Sequence, residues 1–279
     1  MDGLPAYEVH ALRYATRSDT TASGTYYRYE LYGEPDEQIT SGYYFWLIRD
    51  RRRTVLVDCG YSEQTAAQRN RAFTTLPLEL LARLDVRPGD VDHVVLSHMH
   101  FDHVGNIGLF PNATFSMARA ELEFWAGPFG SRPTIGWAIE RSELEQVQRL
   151  DAEGRLHLVG DGTTELFPGI RATVVPGHTP GQLIVEAGTA GGRVLLASDA
   201  VHYYDVLTRD RPFHIFTDLE GVYRGLEKVR TLAARPGTTL VPGHDAAVMR
   251  MFETTAPECA DLTRPLPHRS ATKREECSG

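Results

Sequence analysis

The sequence predicts an α/β fold of sheets layered against helices, and three observations lead there. Short β-branched runs alternate with amphipathic helical stretches along most of the 279 residues. The alternation occurs in both halves, with no Pro/Gly/Ser-rich linker between them, so residues 1–252 are read as one domain. A hydrophobic fraction of 42% is enough for a buried core.

The elements follow in chain order. "YYFWLIRD" (Tyr43 to Asp50) and "RTVLVDCG" (Arg53 to Gly60) read as strands around a polar turn, "RDRRR". "LPLELLARLDV" (Leu76 to Val86) has helical spacing, with Pro77 in its first turn and "RPGD" ending it. "HVVLSH" (His93 to His98) reads as a buried strand, and "ATFSMA" as another. "RAELEFWAG" opens a helical region that continues through "AIERSELEQVQRLD". In the second half, "RLHLVG", "IRATVVPGH", "QLIVEAG" and "RVLLASD" read as successive strands. The helix "LEGVYRGLEKVRTLAA" ends at "RPG", and "TTLVPGH" is a last strand. Residues 253–279 are polar and aperiodic and are read as a tail. The polar segment Ala15 to Gln38 is read as a flap over a site, a homodimer contact or an exposed hairpin.

Composition excludes several classes of function. A net charge of −8 with no basic cluster argues against nucleic acid or an anionic membrane as partner. No apolar run is long enough to span a bilayer, and the N-terminal stretch lacks a secretory pattern, so a cytoplasmic protein is expected. Cys59, Cys259 and Cys277 form neither a CxxC pair nor a disulfide framework and are read as reduced thiols, a Cys259–Cys277 bridge being the alternative.

"LSHMHFDHVGN" (Leu96 to Asn106) concentrates His98, His100, Asp102 and His103 in one turn. Asp58, His178, Asp199 and His244 each stand at or near the end of an apolar strand, where distant parts of a chain converge. Gly177 and Gly243 precede two of them and permit tight turns. Residues two apart in an extended segment point the same way, so His98 and His100 suit one metal. Asp102 and His103 lie past the bend and suit a second. His178 then completes one set, His244 the other, and Asp199 is left to bridge them. Imidazole and carboxylate donors without thiolate suit two divalent ions, zinc foremost, with iron or manganese as alternatives. His10, His93, His157, His202, His214 and His268 are read as ordinary surface or core residues at this point.

"HMHFDH", "GHTPG", the "SD" after a strand and "PGHD" together resemble the metallo-β-lactamase superfamily, over roughly Tyr43 to Met251. The resemblance implies a four-layer αβ/βα sandwich of two mixed sheets flanked by helices. It implies one metal on His98, His100 and His178, a second on Asp102, His103 and His244, and a shared Asp199. It makes Asp58 the residue that orients a ligand histidine and Cys59 a small buried residue. "LASDAVHYYDVL…RPFHIFTDLEGVYRGLEKV…LVPGHD" is similar to the N-acyl homoserine lactonase-like branch. Secreted metallo-β-lactamases commonly carry a Cys where Asp199 stands, and nuclease members bring basic surface; this sequence has neither.

The resemblance implies hydrolysis of a small lactone or ester by a metal-bridging hydroxide, with Asp102 relaying a proton to the leaving alkoxide. Lactonases of that branch place a Tyr three residues after the bridging Asp. Here that position is His202, followed by Tyr203 and Tyr204. Either Tyr203 contacts the substrate carbonyl or His202 donates in its place, which broadens the expected substrate beyond homoserine lactone. Phe101, Phe124, Trp125, Phe129, Trp137, Tyr203, Phe213 and Phe216 flank the motifs as core residues or as an acyl groove. A glyoxalase-II-like thioesterase or other ester hydrolase is the nearest alternative. A diiron redox protein is the more distant one, since that class normally carries a flavin domain.

Overall fold

The computed structural model of the chain describes residues 6–266. The first half supplies β1 (Glu8–Thr21), β2 (Gln38–Arg49), β3 (Thr54–Val57), β4 (His93–Val95), β5 (Thr114–Ala118) and β6 (Leu156–Val159). The second supplies β7 (Thr163–Phe167), β8 (Ile170–Val174), β9 (Leu183–Thr189), β10 (Gly192–Leu196) and β11 (Thr238–Val241), followed by β12 (Phe252–Ala256) and β13 (Cys259–Pro265). One sheet runs β12-β13-β1-β2-β3-β4-β5-β6 and the other β11-β10-β9-β8-β7. Both are mixed. β3 through β6 pair in parallel and β1 with β2 antiparallel, while β10 pairs antiparallel with β9 and parallel with β11.

Side-chain alternation sorts the core into layers. Phe45 and Leu47 of β2 point outward, onto Leu80, Leu81, Trp125, Leu144 and Val147 of the covering helices. Tyr44, Trp46 and Ile48 point inward, to meet Val174, Val185 and Leu196 of the second sheet. The outer face of that sheet, with Ile184 and Leu195, packs on Leu226 and Val229 of the helix Leu219–Ala233. The order is therefore helix, sheet, sheet, helix, as the resemblance implied.

Three expectations need correction. The strand expected over His93 to His98 stops at Val95, and His98 and His100 lie in the loop after it. Residues 8–14 were assigned no element and residues 15–21 only to a flap, dimer contact or exposed hairpin, yet β1 is among the longest strands and pairs with both β2 and β13. His10 and Arg13 interrupt its apolar alternation. Residues 253–266 were assigned to a polar tail, but Phe252–Pro265 folds back as the β12–β13 hairpin and extends the large sheet. Its exposed side chains are polar or proline, while Cys259, Ala260 and Leu262 are fully buried, a one-sided pattern too short to register as periodic. The remainder of that tail, with His268 and Cys277, lies outside the described residues. Cys259 is a free thiol, as is the buried Cys59.

Candidate metal centre

The candidate ligands sit on loops that leave the strand ends of both sheets. β3 delivers Asp58, the loop after β4 delivers His98 and His100, and the short helix Phe101–Val104 carries Asp102 and His103 on one turn. From the second sheet come His178 after β8, Asp199 after β10 and His244 after β11. All seven candidate ligands are buried, His98 completely.

Their atoms converge in two groups. His98, His100, His178 and Asp199 can each place one donor atom within 4.8 Å of the others, and so can Asp102, His103 and His244. Asp199 faces both groups. Its Oδ2 lies 3.3 Å from His178 Nε2 and 3.9 Å from His98 Nε2, and its Oδ1 lies 3.1 Å from His244 Nε2 and 3.4 Å from His103 Nε2. Within the first group His178 Nε2 stands 3.0 Å from His100 Nδ1 and 3.2 Å from His98 Nε2. Donors held about 2.0–2.1 Å from a tetrahedral zinc stand roughly 3.3 Å apart, so these spacings are of the right size.

The surroundings fix which ring nitrogen faces the centre. Nδ1 of His103 donates to Asp58 Oδ2 at 2.7 Å, Nδ1 of His178 to Ile215 O at 2.9 Å, and Nδ1 of His244 to Gly42 O at 2.9 Å. His98 Nδ1 meets Ser97 Oγ at 3.0 Å. In each ring Nε2 is left to point inward with its lone pair. His103 Nε2 and Asp199 Oδ1 are buried and lack a hydrogen-bond partner among the described residues, a costly state unless a cation meets them. The residues therefore fit a pair of divalent ions.

Electrostatics divide the two groups. Burial opposes charge on His103 and His244, but Asp199 and Asp102 outweigh it and raise both above 6.5, so the carboxylates there call for positive charge that bound cations would supply in place of protons. Burial, reinforced by neighbouring imidazoles, drives His98 and His100 well below 6.5 and His178 to about 3, so these rings stay neutral, as ligands must. Burial opposes a charged Asp199, but His202, His244 and His103 outweigh it and hold the carboxyl well below its usual range.

Asp58 is placed as the resemblance implied. It has a left-handed backbone, φ 62°, and accepts from Ser97 N and Oγ at 2.7 and 2.8 Å as well as from His103. Gly177 has φ 142°, and a Cβ there would lie 2.4 Å from Val222 N. Gly243 has no such dihedral; a Cβ there would meet Ser198 O at 2.6 Å and Asp199 Oδ1 at 2.8 Å. Glu121 escaped the sequence reading. It is fully buried, and accepts from Met99 N at 2.9 Å, Gly181 N at 2.9 Å and Trp125 Nε1 at 2.7 Å. One carboxylate thus ties the loop between His98 and His100 to the loop after His178. A glutamate within an amphipathic helix gives no sign of this in sequence. His93, by contrast, is the hydrogen-bonded core histidine expected, between Thr114 Oγ1 and Ser116 Oγ.

Two clefts open beside the ligands. One, with about 890 Å³ of empty space, is walled by Phe101, Tyr203 and Phe213 together with Arg17, Thr25 and Arg71. The other, about 660 Å³, is walled by Phe124, Trp125, Phe129 and Phe216. Both reach His100, His178 and Trp137. Thr20, Gly24 and Thr25 of the segment read as a flap line the first cleft. His202 stacks on Phe213 at 3.6 Å between centroids, and its Nε2 lies 2.9 Å from Asp199 Oδ2, so it also groups with Asp199 and His244 as a candidate ligand. Tyr203 presents its hydroxyl to Ser41 Oγ at 2.6 Å. No helix among the described residues is long and apolar enough to cross a membrane.

Comparison with known proteins places this architecture. The chain is 34% identical over 175 residues to the N-acyl homoserine lactonase AttM of Azorhizobium caulinodans; the alignment covers 61% of this chain and 64% of that relative's length. An N-acyl homoserine lactonase of a Bacillus species is 26% identical over 227 residues, 76% of this chain and 84% of the relative. The crystal structure of a quorum-quenching N-acyl homoserine lactone lactonase superimposes with a TM-score of 0.71 at 21% identity, over 88% of this chain and 95% of that one. The sequence model of the metallo-beta-lactamase superfamily matches residues 41–244, and with that match the chain belongs to the metallo-beta-lactamase superfamily.

Proposed function

We propose that this protein is a metal-dependent hydrolase that opens lactones, N-acyl homoserine lactones among them. The observation that carries the reading is Asp199, whose two oxygens face two separate donor groups. The likeness to lactonases of two bacterial lineages supports the substrate class. His98, His100 and His178 would hold one cation, Asp102, His103 and His244 the other, with Asp199 between them. The nitrogen and oxygen donor set favours zinc. Two such ions, when bound, supply Lewis acidity to the carbonyl and lower the pKa of water toward neutrality.

The chain's own groups do the rest. The fixed rings of His98, His103, His178 and His244 hold their donors in place before substrate arrives, so these need no reorganisation during reaction. His202 and Tyr203 stand in the cleft wall as candidate donors to the carbonyl oxygen, where negative charge develops. Asp102, at the edge of the same cleft, would pass a proton to the ring oxygen as the bond from acyl carbon to that oxygen breaks. The aromatic cleft would take an apolar acyl substituent.

The test is a substrate panel with metal content measured in parallel. Acyl-lactones should be turned over in preference to acyl-thioesters and aryl esters. His100→Ala and Asp199→Ala should lose bound metal and activity together. Full activity in either variant without metal, or a preference for thioesters, overturns the reading.

A further inference from the structure

Arg71 lines the first cleft, half-buried, on the turn that follows the helix Glu63–Gln68. Its Nε is buried and has no hydrogen-bond partner, and among the described residues no carboxylate lies within ion-pair distance of its guanidinium. A guanidinium is charged at every accessible pH, and burying part of it unpaired is costly. Arg17 lines the same cleft. Its one partner in an ion pair is Asp19, which is exposed and does not reach the cleft wall. The acids that do line it, Asp102 and Asp199, belong to the candidate metal centre. In a chain of net charge −8, the two guanidiniums bring positive charge to this lobe, offset in part by Asp19 beside Arg17.

The two clefts differ in character and meet at His100 and His178. A molecule that spans both puts its middle at the candidate ligands, its apolar end among Phe124, Phe129 and Phe216, and its other end toward the arginines. Tyr43 lines the same cleft, with its ring edge-on to His244 at 5.0 Å.

We infer that Arg71, supported by Arg17, is an anion subsite, and that the preferred substrates are lactones carrying a carboxylate on the ring side and an apolar substituent on the other. The planar fork of Arg71 matches a carboxylate through two parallel hydrogen bonds. The inference rests on the lactonase reading for the reaction, but not for the binding.

The experiment uses the metal-loaded full-length chain and two γ-lactones with the same apolar substituent. One carries a ring-side carboxylate and the other the neutral primary carboxamide. The carboxylate should be favoured about tenfold in kcat/KM, mostly through KM. Arg71→Gln should remove most of that preference by lowering kcat/KM for the carboxylate far more than for the carboxamide, Arg71→Lys should keep part of it, and Arg17→Gln should weaken it. Calorimetry with the ring-opened dicarboxylate and its monocarboxylate carboxamide analogue reads the same subsite without turnover. Equal handling of the two lactones, with equal binding of the two ring-opened forms, overturns the subsite and leaves the lactonase reading standing. Neither lactone being opened, with dicarboxylate binding still lost in Arg71→Gln, overturns the lactonase reading and leaves the subsite standing. Arg71→Gln lowering both substrates alike also overturns it, by reducing Arg71 to a structural residue.

Discussion

At the scale of the residue, His202 and Tyr203 compete for one role, and their surroundings separate them. The Tyr203 hydroxyl shares a hydrogen bond with Ser41 Oγ at 2.6 Å, so it can donate to a substrate only while Ser41 is the donor of that pair. His202 is held flat against Phe213, with Nε2 beside Asp199. His202→Ala should therefore lower kcat/KM by about 10²-fold, in the range seen for loss of one donor to a developing oxyanion. Tyr203→Phe should cost less than about tenfold. Steady-state kinetics with metal analysis on both variants check this. The reverse order would assign the donor to Tyr203, and loss of metal from His202→Ala would make it a ligand instead.

Elements bring these residues together, and here backbone crowding decides. Gly177, just before His178, abuts the start of the helix Leu219–Ala233. Ala at 177 would need both a left-handed backbone, φ 142°, and a Cβ 2.4 Å from Val222 N. Overpacking and strain together should cost about 2–4 kcal/mol. That corresponds to a fall in Tm of very roughly 4–16 °C for a domain near this size. Gly160→Ala is the control, since a Cβ there meets nothing within 4 Å. Thermal melts of the two variants decide, and equal melts would remove the crowding argument. The same elements show what the sequence made legible. His178, Asp199 and His244 could be read because each closely follows a conspicuous apolar strand, and His98, His100, Asp102 and His103 because they crowd into one turn. β1 could not, because His10 and Arg13 break its pattern and its partners lie far along the chain, at β2 and β13. Glu121, Ser41 and Arg71 were equally hidden. Each acts through a contact or a cavity that only the packed layers create.

At the scale of the whole molecule, stability carries a pH dependence that originates away from the candidate ligands. Glu143 is buried in the layer between the large sheet and its helices. Its Oε1 accepts from Thr65 Oγ1 at 3.1 Å, and its Oε2 has no partner among the described residues. Burial pushes its pKa from 4.5 to about 8; Glu140 and Asp102 push the same way, while Thr65 and Arg69 oppose them. The folded protein therefore holds a proton on Glu143 that the unfolded chain releases near pH 4.5. Stability from this group is fully present below that value and is lost as pH rises through about 8. Glu143→Gln keeps the shape and the contact with Thr65 but cannot ionise. In the same metal state, its Tm relative to the parent should rise between pH 5 and about pH 8 and level off above it, by up to roughly 8–16 °C in all. A difference that stays constant over that range would mean that Glu143 is ionised in the folded protein throughout, and that Arg69 rather than burial governs it.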